Sequence, residues 1–234
     1  MPNAHSIFFH PINSHDVIKI LKTFKPKKST GDDGISMSLL KQICEPCSIP
    51  LAILINKSLE TGLVPEATKM AKVVPIFKAK DKELFTNYRP ISLLSNISKI
   101  LEKAIHRQLY TFLQKYNVLY DNQYGFRPKR STTDAITKFV SDVLLSFNAK
   151  EHCIAVYLDL SKAFDTINHD ILLSNLNHYG IRGQALQWFK SYLCQRKQYT
   201  TVYGPIDAQC ATADPWWRVY LKYKNKKKQK KLSA

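Results

Sequence analysis

The sequence predicts a mixed α/β chain (α+β), rich in helix and carrying a small antiparallel sheet. Three observations predict it. Apolar residues Ile97, Ile100, Leu101, Ile105, Leu109 and Phe112 recur at helical spacing along one stripe. Two short apolar runs, 73–77 and 90–94, flank a charged loop in the manner of a hairpin. A third apolar run, Cys153 to Leu158, ends on Asp159 and reads as a buried strand tipped with a carboxylate.

Taken in order, Ser14 is placed to cap a first helix whose Val17, Ile18, Leu21 and Phe24 share a face. A polar turn follows at Lys27 to Gly34, then a helix over about Pro50 to Glu60 that stops at Gly62. Val73 to Phe77 is the outgoing strand of the hairpin, and Lys78 to Lys82 opens its tip. Pro90 to Leu94 returns, with the proline favouring a strand start or an edge. The long stripe predicts a helix over 97–116, and Ser131 to Asp134 forms a capping box opening another to about Phe147. Beyond the 153–159 strand, helices are expected over Ile171 to His178, closed by Gly180, and from about Gln184 to Cys194. A last strand is expected over Gln198 to Tyr203.

Charge narrows the class of partner. The formal net charge is +17, and seven lysines crowd residues 222–231, yet the remainder is basic as well. A basic body with 12 Tyr and 11 Phe suits a polyanion that also offers stacking surfaces, the plainer reading being a solvated face. No apolar run approaches the length of a membrane span, and residues 1–10 lack the pattern of a secretory signal. Five cysteines, an odd number, suit reduced thiols in cytosol or nucleus. Cys44 and Cys47 have a zinc-like spacing, but no second pair follows at a finger's distance, so they read as two small residues at a helix end.

The order of motifs supports a more specific comparison. Phe77-Lys78 is followed by Asn87-Tyr88-Arg89-Pro90-Ile91-Ser92-Leu93-Leu94. Next come Gln123-Tyr124-Gly125-Phe126-Arg127 with Ser131-Thr132-Thr133-Asp134-Ala135, and then Tyr157-Leu158-Asp159-Leu160-Ser161-Lys162-Ala163-Phe164-Asp165. This series resembles the reverse transcriptase (RNA-directed DNA polymerase) of non-LTR, LINE-type retrotransposons. Lys28 to Ile35 resembles the motif ahead of that family's fingers, although proline is more usual where Thr30 and Asp32 stand. Asn168-His169 and Gly180-Ile181 continue the likeness, which covers about residues 7 to 205.

The resemblance implies the fingers and part of the palm of a right-hand polymerase. Residues 1–70 would be a helical extension, 71–208 fingers and partial palm, and 209–234 a divergent, lysine-rich, disordered tail. Asp159 would be the first catalytic, metal-binding aspartate, holding Mg2+ (or Mn2+) for phosphoryl transfer. Hard oxygen ligands on a rigid strand suit that ion. On the residues alone, an Asp capping the next turn is the plainer reading. Leu160, Ser161, Lys162, Ala163 and Phe164 would turn beneath the dNTP, with Phe164 walling the sugar against a 2′-hydroxyl; on composition alone it is a core phenylalanine. Asp165 caps the following helix or orients its neighbours. Lys78 and Arg89, with Lys72 a weaker third, would place cations on the triphosphate. Gln123, Gly125, Phe126 and Arg127 would line the template path, or Arg127 would brace the fingers.

The implied partners are an RNA template and a DNA primer or target, with no membrane, in nucleus or cytoplasm. The family's later Pro-Gln-Gly-Ser and Ala-Asp-Asp motifs do not occur, and no Asp-Asp pair follows Asp33. The expectation is therefore a chain without the second carboxylate motif or the thumb, with no endonuclease domain ahead of it, and inactive alone. A frame change, a splice variant or a decayed element copy would produce such a pattern. The alternatives are a noncatalytic nucleic-acid-binding fragment and a group II intron maturase-like protein.

Overall fold

The protein is seen in a computed structural model that describes residues 3–79, 81–160, 163 and 166–200. Along the chain run α1 (Ser14–Thr23), α2 (Met37–Gln42), α3 (Cys44–Thr61), β1 (Met70–Phe77), β2 (Tyr88–Leu94) and α4 (Asn96–Lys115). They are followed by α5 (Thr132–Asn148), α6 (His169–His178), α7 (Gly183–Leu193) and β3 (Lys197–Thr200). The chain divides into two units, Met1–Leu109 with Leu173–Ala234, and Tyr110–Leu172.

In the first unit the core is aliphatic and spans several helices. Val17, Ile20 and Leu21 of α1, Leu51, Ile55 and Leu59 of α3, Ile100, Leu101 and Ile105 of α4, and Trp188 of α7 are all buried in one cluster. Trp188 stacks on Tyr192 at 5.4 Å between ring centroids and 11° between planes. Its indole N–H donates to Ser58 Oγ at 2.9 Å, and that hydroxyl donates to the Leu63 carbonyl at 2.6 Å. The polar edge of a large buried ring is thereby satisfied.

The helix starts show where local chemistry decides. Asn13, not Ser14, caps α1: its side chain accepts from the Asp16 N–H at 2.9 Å, and the Asp16 carboxylate accepts from the Asn13 N–H at 3.2 Å. That reciprocal pair needs an acid three residues after the cap, which Asn13 has and Ser14 lacks. The helix expected from Pro50 begins earlier, at Cys44, and carries Pro50 inside it. Burial of Ser48, Leu51, Ala52 and Ile55 holds this stretch helical despite the backbone bond that the proline removes. Cys44 and Cys47 sit in the first turn, half-buried, as a helix end requires. Burial pushes the Cys47 thiol pKa upward, with a further push from Cys44.

The hairpin forms as expected, β1 pairing antiparallel with β2 in the register Val74↔Ile91, Ile76↔Arg89 and Phe77↔Tyr88. The sheet is mixed rather than purely antiparallel, because β3 joins the other edge of β1 in parallel, giving the order β2-β1-β3. More than a hundred residues separate β1 from β3, and a connection that long can enter in either direction, whereas a tight hairpin cannot.

In the second unit α5 opens on the expected box. Ser131 Oγ accepts from the Asp134 N–H at 3.2 Å, and the Asp134 carboxylate accepts from the Ser131 N–H at 2.7 Å. The strand expected over 153–159 is not formed. Residues 151–160 adopt no regular element, and Ile154, Val156, Leu158 and Leu160 are exposed, Leu158 at 91%. A strand exists only through its neighbours. The one sheet of the described residues consists of β1, β2 and β3, so this run has no ladder to join. Tyr157 in this run meets Phe139 of α5 at 6.0 Å between centroids.

Candidate functional site

Period-two geometry sets the faces of the hairpin. Residues opposite one another across an antiparallel pair share a face, as do residues two apart. Lys72 lies opposite Leu93 and Ile76 opposite Arg89, so Lys72, Val74, Ile76, Arg89, Ile91 and Leu93 project from one side. Lys78 follows β1 directly, and its N–H donates to the Asn87 carbonyl at 2.8 Å, extending the ladder by one rung. Lys78 therefore joins Lys72 and Arg89 on the same face. Ion pairs among the described residues join Lys57 to Glu60, Lys69 to Glu66 and Lys138 to Asp142, leaving the three hairpin cations without a carboxylate. Lys78 and Arg89 are both exposed.

The opposite face is built for rigidity. Ala71 and Val73 are buried. Nearer the tip, the rings of Phe77 and Tyr88 meet at 5.5 Å, and Lys82 Nζ lies 5.7 Å from the Phe77 ring. The tip folds on itself through Asn87 Nδ2 to the Asp81 carbonyl at 2.8 Å and Tyr88 Oη to the Lys82 carbonyl at 3.0 Å. These bonds tie residues 81 and 82 of the tip back to the start of β2, beside Arg89.

The root of the hairpin is fastened by the polar turn before α2. Ser95 Oγ donates to Asp33 Oδ2 at 2.6 Å and accepts the Ile97 N–H at 3.1 Å, so it is both tether and cap of α4. Asn96, only 2% exposed, donates to the carbonyls of Ser29 at 3.2 Å and Ile35 at 2.7 Å. A Cβ on Gly31 would fall 2.5 Å from the Ser95 nitrogen, which explains the glycine. Sequence reasoning missed Asp33, Ser95 and Asn96 as positioning residues. The signal was there in part: an Asp-Gly turn and a Ser-Asn pair just ahead of a helix both offer side chains that seek backbone partners.

Asp159 stands at the end of the irregular, exposed 151–160 run, and Ala163 is exposed in the turn beyond. Ser161, Lys162, Phe164 and Asp165 lie outside the described residues, as do the remainder of the last expected strand beyond Thr200 and the lysine-rich tail. Leu160 is 77% exposed. Among the described residues no three His, Cys, Asp or Glu side chains gather as a metal would need. Asp159 offers one hard oxygen donor group, and the described residues do not complete a cation site around it.

In the 123–127 segment, Gln123 Nε2 donates to the Gly125 carbonyl at 3.1 Å and Arg127 Nη1 to the Tyr120 carbonyl at 2.8 Å. Arg127 is thus engaged within its own loop. A Cβ on Gly125 would meet nothing within 4 Å, so no internal contact demands the glycine. Phe126 is 90% exposed with φ +61°, a left-handed backbone that is unusual for an aromatic residue.

A mixed α/β chain whose charged hairpin leads into a long helix has the makings of a right-hand polymerase domain. The chain belongs to the reverse transcriptase (RNA-dependent DNA polymerase) family, whose model matches residues 77–231. That match runs past residue 209, further than the motifs themselves extend. The chain is 33% identical over 203 residues to a probable RNA-directed DNA polymerase from transposon BS of Drosophila melanogaster, covering 84% of this chain and 22% of that protein. It is 28% identical over 195 residues to the RNA-directed DNA polymerase from mobile element jockey of Drosophila funebris, covering 83% and 21%. Over 160 residues it is 26% identical to a probable RNA-directed DNA polymerase from transposon X-element of Drosophila melanogaster, covering 68% and 18%. The domain is therefore of the non-LTR retrotransposon type. The chain spans about a fifth of the length of the curated relatives it matches. No helix among the described residues is long and apolar enough to cross a membrane.

Proposed function

We propose that residues 71–208 carry the fingers and first part of the palm of an RNA-templated DNA polymerase, with residues 1–70 as an extension that braces the fingers. Lys78 and Arg89 grip the triphosphate of an incoming dNTP. The guanidinium forks onto two oxygens and the ammonium adds a point charge. Lys72 supports them from the same face. The single observation that carries the reading is this shared cationic face, without a carboxylate partner among the described residues, on a hairpin whose tip is tied by side-chain hydrogen bonds.

Asp159 is the first acid of the catalytic pair, and the 160–164 turn lies beneath the nucleotide, with Phe164 against the sugar. A divalent magnesium ion, when bound there, would neutralise phosphate charge and activate the primer hydroxyl. The chain's own contribution is one carboxylate, so residues 1–234 alone hold the cation poorly and do not extend a primer. Gln123, Gly125, Phe126 and Arg127 flank the template RNA. A primer-extension assay with an RNA template, a DNA primer, dNTPs and magnesium tests this. The expected result is no incorporation by the 234 residues, and robust incorporation would overturn it.

A second reading, a noncatalytic nucleic-acid-binding fragment, draws on the exposure of the 153–159 run. Nucleic-acid binding with a steep salt dependence that survives Asp159→Ala would favour it.

A further inference from the structure

We infer that the entrance to α5 holds a phosphate-binding pocket, formed by Lys129, Arg130 and Lys138 around Tyr124, that grips the backbone of a single-stranded nucleic acid. The inference rests on the reading of this chain as a polymerase fragment that handles a nucleic-acid strand, and it adds a site that the motifs at 123–127 do not include. The pocket is an open cleft of about 500 Å3 within the second unit, and Thr137 and Ser141, one helical turn apart on α5, add two hydroxyls to its wall.

The charges in the pocket are not equivalent. Arg130 Cζ lies 5.5 Å from the centre of the half-buried Tyr124 ring, which steadies the guanidinium. No ion pair among the described residues takes Lys129 or Arg130. Lys138 is held by Asp142, one turn along the helix. The one acid lining the cleft, Asp134, is occupied by the N–H and hydroxyl of Ser131. Hydrogen bonds from Ser131 hold its carboxyl below the usual range, and the nearby Arg130 charge lowers it further, so it stays charged and committed to the cap. Lys129, which has no ion pair among the described residues, and Arg130, steadied on a ring, stand beside two hydroxyls of α5 and make a site for an anion with several oxygens. Because Arg130 covers the Tyr124 ring, the site favours a phosphodiester over a stacked base.

Fluorescence anisotropy of a labelled 20-nucleotide single-stranded RNA, titrated with the full chain from 50 to 200 mM salt, tests the proposal. Each lost phosphate contact on a single strand lowers the log–log salt slope by about 0.7, so Lys129→Ala/Arg130→Ala should flatten it by about 1.4. Affinity at the lowest salt should fall on the order of tenfold. Arg130→Lys, which keeps the charge, should retain most of the slope. The lysine-rich tail contributes equally to every variant and cancels in the comparison. Wild-type binding with an unchanged slope in the double variant would overturn the pocket while leaving the polymerase reading intact. Failure of the wild-type chain to bind at all would overturn both.

Discussion

Gly31→Ala should be the most damaging small substitution in the first unit. The new Cβ would lie 2.5 Å from the Ser95 nitrogen and 2.7 Å from the Leu94 carbonyl carbon, all main-chain atoms with no rotamer to yield. Relief needs a backbone shift of roughly 1 Å, and overpacking of that kind costs about 1–3 kcal/mol. The shift also strains the Ser95–Asp33 bond at 2.6 Å and the two bonds that satisfy buried Asn96. Leaving a buried polar group unsatisfied adds about 1–3 kcal/mol. Together the loss should be about 2–6 kcal/mol, which lowers the melting temperature by on the order of 10 °C for a domain of this size. Gly34→Ala, three residues on, is the control: its φ is +68°, but nothing lies within 4 Å of the added carbon. That variant should lose only about 1–2 kcal/mol from the left-handed backbone. Thermal unfolding of both, followed by far-ultraviolet circular dichroism, separates them. Equal losses, or a Gly31→Ala cost under about 1 kcal/mol, would refute the tether between the polar turn and the hairpin root.

Three further outcomes follow from the packing. Trp188→Ala should cost about 3–5 kcal/mol in urea unfolding, because a buried ring is removed and Ser58 loses the indole donor. The Tyr192 hydroxyl is pushed up to about 12 by burial first and then by the Glu102 carboxylate to which it donates at 2.9 Å. A phenol raised above its unfolded value of 10.0 stabilises the fold below that pH and loses this contribution as pH climbs toward 12. The urea midpoint should therefore fall across that window, and less steeply in Tyr192→Phe. Ser131→Ala removes the cap of α5 and should destabilise that helix by about 1 kcal/mol, read as a lowered helical signal and faster amide exchange over residues 132–136.

Features that depend on near neighbours in sequence are legible in the sequence itself. The capping box at Ser131 and Asp134 formed as written, because both partners lie within one turn. The hairpin formed because alternation and its proline act locally, and Lys78 and Arg89 fell on one face because register follows from the pairing. Two errors had local causes: a better box moved the first cap to Asn13, and Pro50 read as a helix start although burial carries α3 through it. The largest miss was the run at 153–159. Its apolar pattern is that of a buried strand, but the pattern records a preference and the ladder must come from elsewhere in the chain. The tether of Asp33, Ser95 and Asn96 was hidden for a related reason, since its partners are more than sixty residues apart.

The proposed grip of Lys78 and Arg89 on a triphosphate is tested most directly by equilibrium binding of a fluorescent dNTP to the full chain, in a double-mutant cycle of Lys78→Ala and Arg89→Ala. Two cations acting on one phosphate group should each weaken binding, and together by less or more than the sum of the single losses, with a coupling of at least about 0.5 kcal/mol. A deoxynucleoside lacking phosphates should bind all four proteins alike. Unchanged triphosphate affinity in the double variant would contradict the account.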